Sequence, residues 1–188
     1  EGVNITCEVT PHHLTLTDTI ILNKNLSDQN FVTSHHSYDT RAKVNPPLRT
    51  SSDVQSLIEA LNDGTIDIIA TDHAPHSDID KICTFSEAAF GISNIETAFS
   101  QIYQLVINKQ ISLNKLIESL TIAPARILGA QYGNLEKNKP ADITIIDLNE
   151  QWKVNPEEFL SKGKNSPLDG YTLTSKVFKT IYQGKIVF

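Results

Sequence analysis

The run Ile66-Asp67-Ile68-Ile69-Ala70-Thr71-Asp72-His73-Ala74-Pro75-His76 constrains this chain more than any other stretch. A short apolar, β-branched segment gives way at once to Thr71, Asp72 and a Pro-containing segment with two histidines. A continuous apolar run of this kind reads as a buried strand of a parallel sheet. In α/β barrels the reactive groups sit where a strand ends and its loop begins. Asp72 stands at that point. A carboxylate there can bind a divalent metal, take a proton from bound water, or do both. Taken alone, Asp72 also suits a turn or a helix cap, positions that Asp favours, so the flanking stretches decide.

The chain has 188 residues, 39% hydrophobic and 20% charged, enough for one sizeable core or a domain with a smaller companion. A formal charge of −6 argues against nucleic acid as the main partner, which needs a basic face. No apolar run approaches the ~20 residues that cross a bilayer. Cys7 and Cys83 are too few for a disulfide framework or a cysteine-rich zinc module, and they point to a reducing, cytoplasmic setting. The chain has no Met and opens within a strand-like run, so we expect it to be part of a longer protein that includes an upstream portion.

Residues 3–9 read as a strand that Pro11 must end, because proline has no ladder donor. On an extended backbone His12 and His13 point to opposite sides, which favours hydrogen-bonded support over joint metal ligation. Residues 15–43 read as a long polar loop, with His35 and His36 exposed to solvent. In Lys43-Val44-Asn45-Pro46-Pro47-Leu48-Arg49, two prolines stiffen the segment and can hold Asn45 against a polar ligand. Ser51, Ser52 and Asp53 are N-cap candidates for a helix to about residue 62, stopped by Gly64. After a polar loop over 77–89, Gly91 allows a close backbone approach. Ser93 or Asn94 caps a helix to about residue 108, Ser112 caps another over 113–120, and a short one over 124–128 stops at Gly129. From about residue 133 the pattern turns to strands (141–148, 176–182 and 185–188), with Trp152 and Tyr171 as packing residues.

Four stretches stand in order: Thr6-Cys7-Glu8-Val9-Thr10-Pro11-His12-His13-Leu14, Val44-Asn45-Pro46-Pro47-Leu48-Arg49, Ala70-Thr71-Asp72-His73-Ala74-Pro75-His76, and Phe90-Gly91-Ile92 with Glu96-Thr97-Ala98. Together they closely resemble the dihydroorotases of the cyclic amidohydrolase superfamily. The likeness extends to Pro140-Ala141-Asp142-Ile143 and to the closing Ile181-Tyr182-Gln183-Gly184-Lys185-Ile186-Val187. Ala88-Ala89 stands where the family usually has Ala-Pro, Asn94 where it usually has Gly, and residues 77–84 are atypical. These differences bear on loop stiffness more than on chemistry.

The resemblance implies an α/β fold, the C-terminal portion of a (β/α)8 TIM-type metal-dependent hydrolase barrel plus part of a β-sandwich subdomain. Residues 1–132 would hold the last two barrel strands and closing helices, and residues 133–188 the sandwich part. It further implies a zinc-dependent enzyme, with one or two Zn2+ ions, that closes N-carbamoyl-L-aspartate reversibly to L-dihydroorotate in pyrimidine biosynthesis. Asp72 would be a metal ligand and the general acid/base serving a metal-bound hydroxide. Asn45, His76, Phe90 and Gly91 would contact substrate, and His73 would give support. Most metal ligands would lie upstream, so the chain alone is expected to be inactive and to bind metal weakly. A homodimer and an association with aspartate transcarbamoylase remain open as assemblies. The alternatives are an allantoinase, a hydantoinase or dihydropyrimidinase, or a non-catalytic dihydroorotase-like partner of aspartate transcarbamoylase.

Overall fold

A computed structural model describes residues 2–3, 5–22 and 38–188. The expectation for His35 and His36 lies outside the described residues. The elements run β1 (Glu8–Val9), α1 (Pro11–Thr15), α2 (Ser51–Asp63), β2 (Ile68–Ile69), α3 (Asp78–Lys81), α4 (Ala98–Ile107), α5 (Leu113–Leu120), α6 (Ile122–Ile127), β3 (Ile143–Lys153), β4 (Thr172–Tyr182) and β5 (Lys185–Ile186). Short 3-10 turns cover Asp18–Ile20, Thr40–Ala42 and Pro156–Glu158.

β1 and β2 pair in parallel, Glu8 opposite Ile68 and Val9 opposite Ile69. Both are shorter than the sequence suggests, two residues each. The parallel pairing is as expected. At the start of β1, Cys7 N–H donates to the Asp67 carboxylate at 2.8 Å instead of to a ladder carbonyl.

The run after β1 is helical rather than extended. Thr10 caps α1 by accepting from His13 N, and Pro11 occupies the first turn, where its missing N–H is harmless. His12 and His13 therefore do not face opposite sides, and their ring centroids lie 4.6 Å apart. Thr50, not a residue of 51–53, caps α2, and its exchange of hydrogen bonds with Asp53 forms a capping box. Gly64 ends α2 at φ 87°, as expected. Ser112 caps α5 as expected, whereas α4 begins only at Ala98 and leaves Ile95 exposed. The polar loop over 77–89 contains α3.

One core gathers Leu14, Ile58, Leu61, Ile69, Ile102 and Leu116 between β1, β2 and helices α1, α2, α4 and α5. Fully burying each such side chain contributes about 1.5–3 kcal/mol. β3, β4 and β5 form an antiparallel sheet, and Ser100 of α4 donates to Ser175 O of β4 at 2.7 Å. A second core joins Leu16, Val44, Leu48 and Ile92 to Val154, Phe159, Leu168 and Leu173, with Trp152 and Tyr171 packed against it. The connection between β3 and β4 thus shares a core with the loops after α1 and α3.

Candidate active site

Asp72 follows β2 with φ 45°. Asp and Asn tolerate this left-handed conformation better than other side-chain-bearing residues. The preceding carbonyl, Thr71 O, accepts from Asn94 Nδ2 at 2.8 Å. The Asp72 side chain is exposed and makes no hydrogen bond or ion pair among the described residues. It is a carboxylate open to a ligand.

Asn94 ties this strand end to two histidines. Its Nδ2 also donates to His12 Nδ1 at 3.1 Å, so the proton of the His12 ring sits on Nε2. His12 is 1% exposed, and burial first, then neighbouring His13, pushes its pKa down to about 3. His12 Nε2 and Asn94 Oδ1 are both buried without a partner among the described residues. The backbone N–H groups of Asn94 and Ile95 donate to His73 Nδ1 at 3.1 and 3.2 Å. His73 Nε2–H is then left for Ser161 Oγ at 3.3 Å. His13 donates from Nε2 to Pro46 O at 2.9 Å and accepts from Thr10 Oγ1 at 2.7 Å.

The other expected contacts meet around a glycine. His76 Nε2–H donates to Phe90 O at 2.8 Å, and Gly91 N–H donates to Lys43 O at 2.9 Å. At Gly91, φ is 141°, and a Cβ would fall 2.5 Å from Ala74 Cβ and 3.1 Å from His76 Nε2. Only glycine lets these backbones approach so closely. Asn45 is exposed and stands between two anchors, the Lys43 carbonyl bound by Gly91 and the Pro46 carbonyl bound by His13. The Asn45–Pro46 peptide is cis.

Two buried lysines clasp the loop that delivers Phe90. Lys43 Nζ donates to Ser86 O and Ala88 O at 2.9 and 2.7 Å and lies 4.4 Å from the Phe90 ring centroid. Lys81 Nζ reaches the other way, to Thr40 O and Ala89 O at 3.1 and 2.6 Å. Burial, then Lys43, pushes the Lys81 pKa down to about 8. Phe90 itself is 55% exposed, an apolar ring presented to solvent.

The amidohydrolase family model matches residues 4–187. The chain belongs to the amidohydrolase family. This amidohydrolase chain is 48% identical to a dihydroorotase of Caldanaerobacter subterraneus subsp. tengcongensis over 99% of its own length and 40% of that protein's. It is 46% identical to a dihydroorotase of a Thermoanaerobacter species, over 100% of the chain and 40% of that protein. Its fold is similar to that of an L-hydantoinase (dihydropyrimidinase) from Arthrobacter aurescens, with TM-score 0.82 and 29% identity over 97% of this chain and 39% of that one. The chain spans about 40% of the length of the relatives it matches.

Among the described residues of the amidohydrolase chain, no group of three or more His, Cys, Asp or Glu side chains could hold a metal ion. The unpaired carboxylate of Asp72 suits one coordination position of a hard or borderline divalent cation, and no more. His13 uses both ring nitrogens in hydrogen bonds, and His12 accepts from Asn94 through Nδ1, its Nε2 being buried without a partner among the described residues. No helix among the described residues is long and apolar enough to cross a membrane.

A hydrogen bond joins His76 to Phe90, and Gly91 N–H bonds the Lys43 carbonyl, two residues before Asn45 in the chain. Asp72 bonds to none of them; its strand end is held through Asn94. Lys43, Lys81 and Asn94 do the holding, together with Asn165, whose side chain bonds His76 N, Ala74 O and Gly91 O, and the sequence assigns none of them that role. In the sequence Asn94 stands out as a candidate helix cap and as a departure from the family pattern. Lys43 and Lys81 could have been suspected from their places beside the Asn-Pro-Pro segment and inside the loop before Phe90.

Proposed function

We propose that the protein carrying this chain is a dihydroorotase, interconverting N-carbamoyl-L-aspartate and L-dihydroorotate in pyrimidine biosynthesis. The observation that carries the reading is 48% identity, across 99% of the chain, to a protein of that name. The parallel β1–β2 pair and the antiparallel β3–β4–β5 sheet support an assignment of residues 1–132 to the C-terminal portion of a (β/α)8 barrel and 133–188 to part of a β-sandwich.

On this reading Asp72 is the general acid/base. In ring opening it accepts a proton from the attacking water and delivers it to the ring nitrogen as the C–N bond breaks. In ring closure the same proton travels back. Asp72 is also the residue of this chain that would hold Zn2+, and a bound zinc ion would acidify water and polarise a carbonyl. The remaining ligands would come from elsewhere in the protein.

Asn45, His76 and the Phe90–Gly91 backbone bind and orient substrate. His76 Nε2–H is committed to Phe90 O, so Nδ1 is the ring nitrogen that faces substrate, and the imidazolium form can donate from it to a carboxylate. The clasp of Lys43 and Lys81 holds the carbonyls of the loop that leads into Phe90.

A hydantoinase or dihydropyrimidinase is the second reading, favoured by the fold likeness to the Arthrobacter aurescens enzyme. Assaying the full-length protein with dihydroorotate, hydantoin, dihydrouracil and allantoin separates them. Turnover of dihydroorotate well above the others is expected, and preference for any other ring overturns the proposal.

A further inference from the structure

The connection between β3 and β4 returns to the site at residues 161–167. Ser161 Oγ meets His73 Nε2, and Ser93 N–H donates to Asn165 O at 3.0 Å. The Asn165 side chain, in a residue 5% exposed, uses both donors of its amide and its oxygen there. Nδ2 donates to Ala74 O at 3.2 Å and to Gly91 O at 3.0 Å, while Oδ1 accepts from His76 N at 2.8 Å. Three bonds from one amide fix the two backbones relative to each other more tightly than any single bond could. The chain beside it is pressed against the same loop: a Cβ on Gly163 would fall 2.5 Å from Pro75 Cβ and 2.7 Å from His76 N.

We propose that Asn165 is a positioning residue for substrate binding, its buried amide setting His76 in register with the Phe90–Gly91 backbone. The proposal rests on those residues contacting substrate, as in the reading above. It assigns to a segment 89 residues from His76 in sequence the control of that surface, while leaving Asp72, held separately through Asn94, in place.

The test uses the full-length protein with Asn165→Ala, Asn165→Asp and Gly163→Ala. Asn165→Asp turns an oxygen toward two carbonyl oxygens but keeps the acceptor for His76 N. Gly163→Ala displaces the same loop by a different route. For each variant KM for dihydroorotate should rise about tenfold or more, with kcat kept within about threefold. Amide hydrogen exchange should quicken in peptides covering 73–77 and 90–93 and stay unchanged in α4. A fall in kcat at unchanged KM, or kinetics and exchange like those of the unaltered protein, overturns the proposal. If Asn165→Ala fails to fold, the other two variants decide by the same readings. If the protein turns over hydantoin instead of dihydroorotate, the proposed reaction fails, and the KM split measured on hydantoin still decides the role of Asn165.

Discussion

Replacing Asn94 with alanine is the perturbation whose magnitude the structure defines best. The change removes donors from Thr71 O (2.8 Å) and His12 Nδ1 (3.1 Å), leaving one half-buried and one buried acceptor unpaired. Each such orphan costs about 1–3 kcal/mol. The change also deletes Asn94 Oδ1, itself buried without a partner among the described residues, and so relieves one penalty of the same size. Two orphans made and one removed give a net loss of about 1–3 kcal/mol. Urea denaturation of the full-length protein should show a lower midpoint at unchanged slope. Because Thr71 O is the last fixed atom before Asp72, kcat should fall too, by about tenfold or more for a displacement approaching 1 Å. A variant with the parent's midpoint and kcat would refute the view that Asn94 anchors the strand end.

Gly91→Ala must move Ala74 or His76, since its methyl would fall 2.5 Å from Ala74 Cβ at a φ of 141°; overpacking costs about 1–3 kcal/mol, and KM for dihydroorotate should rise more than kcat falls. His12 has its folded-state pKa lowered from 6.5 to about 3, so the unfolded chain binds the extra proton between those values. The stability linked to this ring is therefore fully present above pH 6.5 and is lost progressively as pH falls toward 3. His12→Gln should flatten that part of a pH–stability curve, and an unchanged acid limb would contradict the assignment. Zinc titrated calorimetrically into the 188-residue chain alone should give no tight stoichiometric binding, since Asp72 offers one ligand; a tight one-to-one isotherm would be the contrary result.

Local chemistry carried most of what the sequence revealed. Ser112 and Gly64 announce a helix start and a helix stop through effects confined to one turn, and both stand where expected. The isoleucine run marks a parallel strand because burial on both faces selects β-branched residues. The failures are equally physical. β1 does end before Pro11, but with Thr10 before it the same proline opens a helix, so the two histidines leave the extended backbone expected of them. Lys43 and Lys81 carry no assignment from the sequence, because an ammonium buried on carbonyls leaves no local pattern beyond its place in the chain. Asn165 meets His76 only after 89 intervening residues have folded, a pairing that no periodicity records.

The central claim is that Asp72 moves the proton in ring opening and closure. The direct measurement is the steady-state rate of the full-length Asp72→Asn protein on L-dihydroorotate, with its fold checked by circular dichroism. Loss of a positioned acid/base removes about 10²–10⁴-fold, so kcat should drop by at least that much while the protein stays folded. A folded Asp72→Asn protein turning over dihydroorotate at the parent rate would contradict the claim.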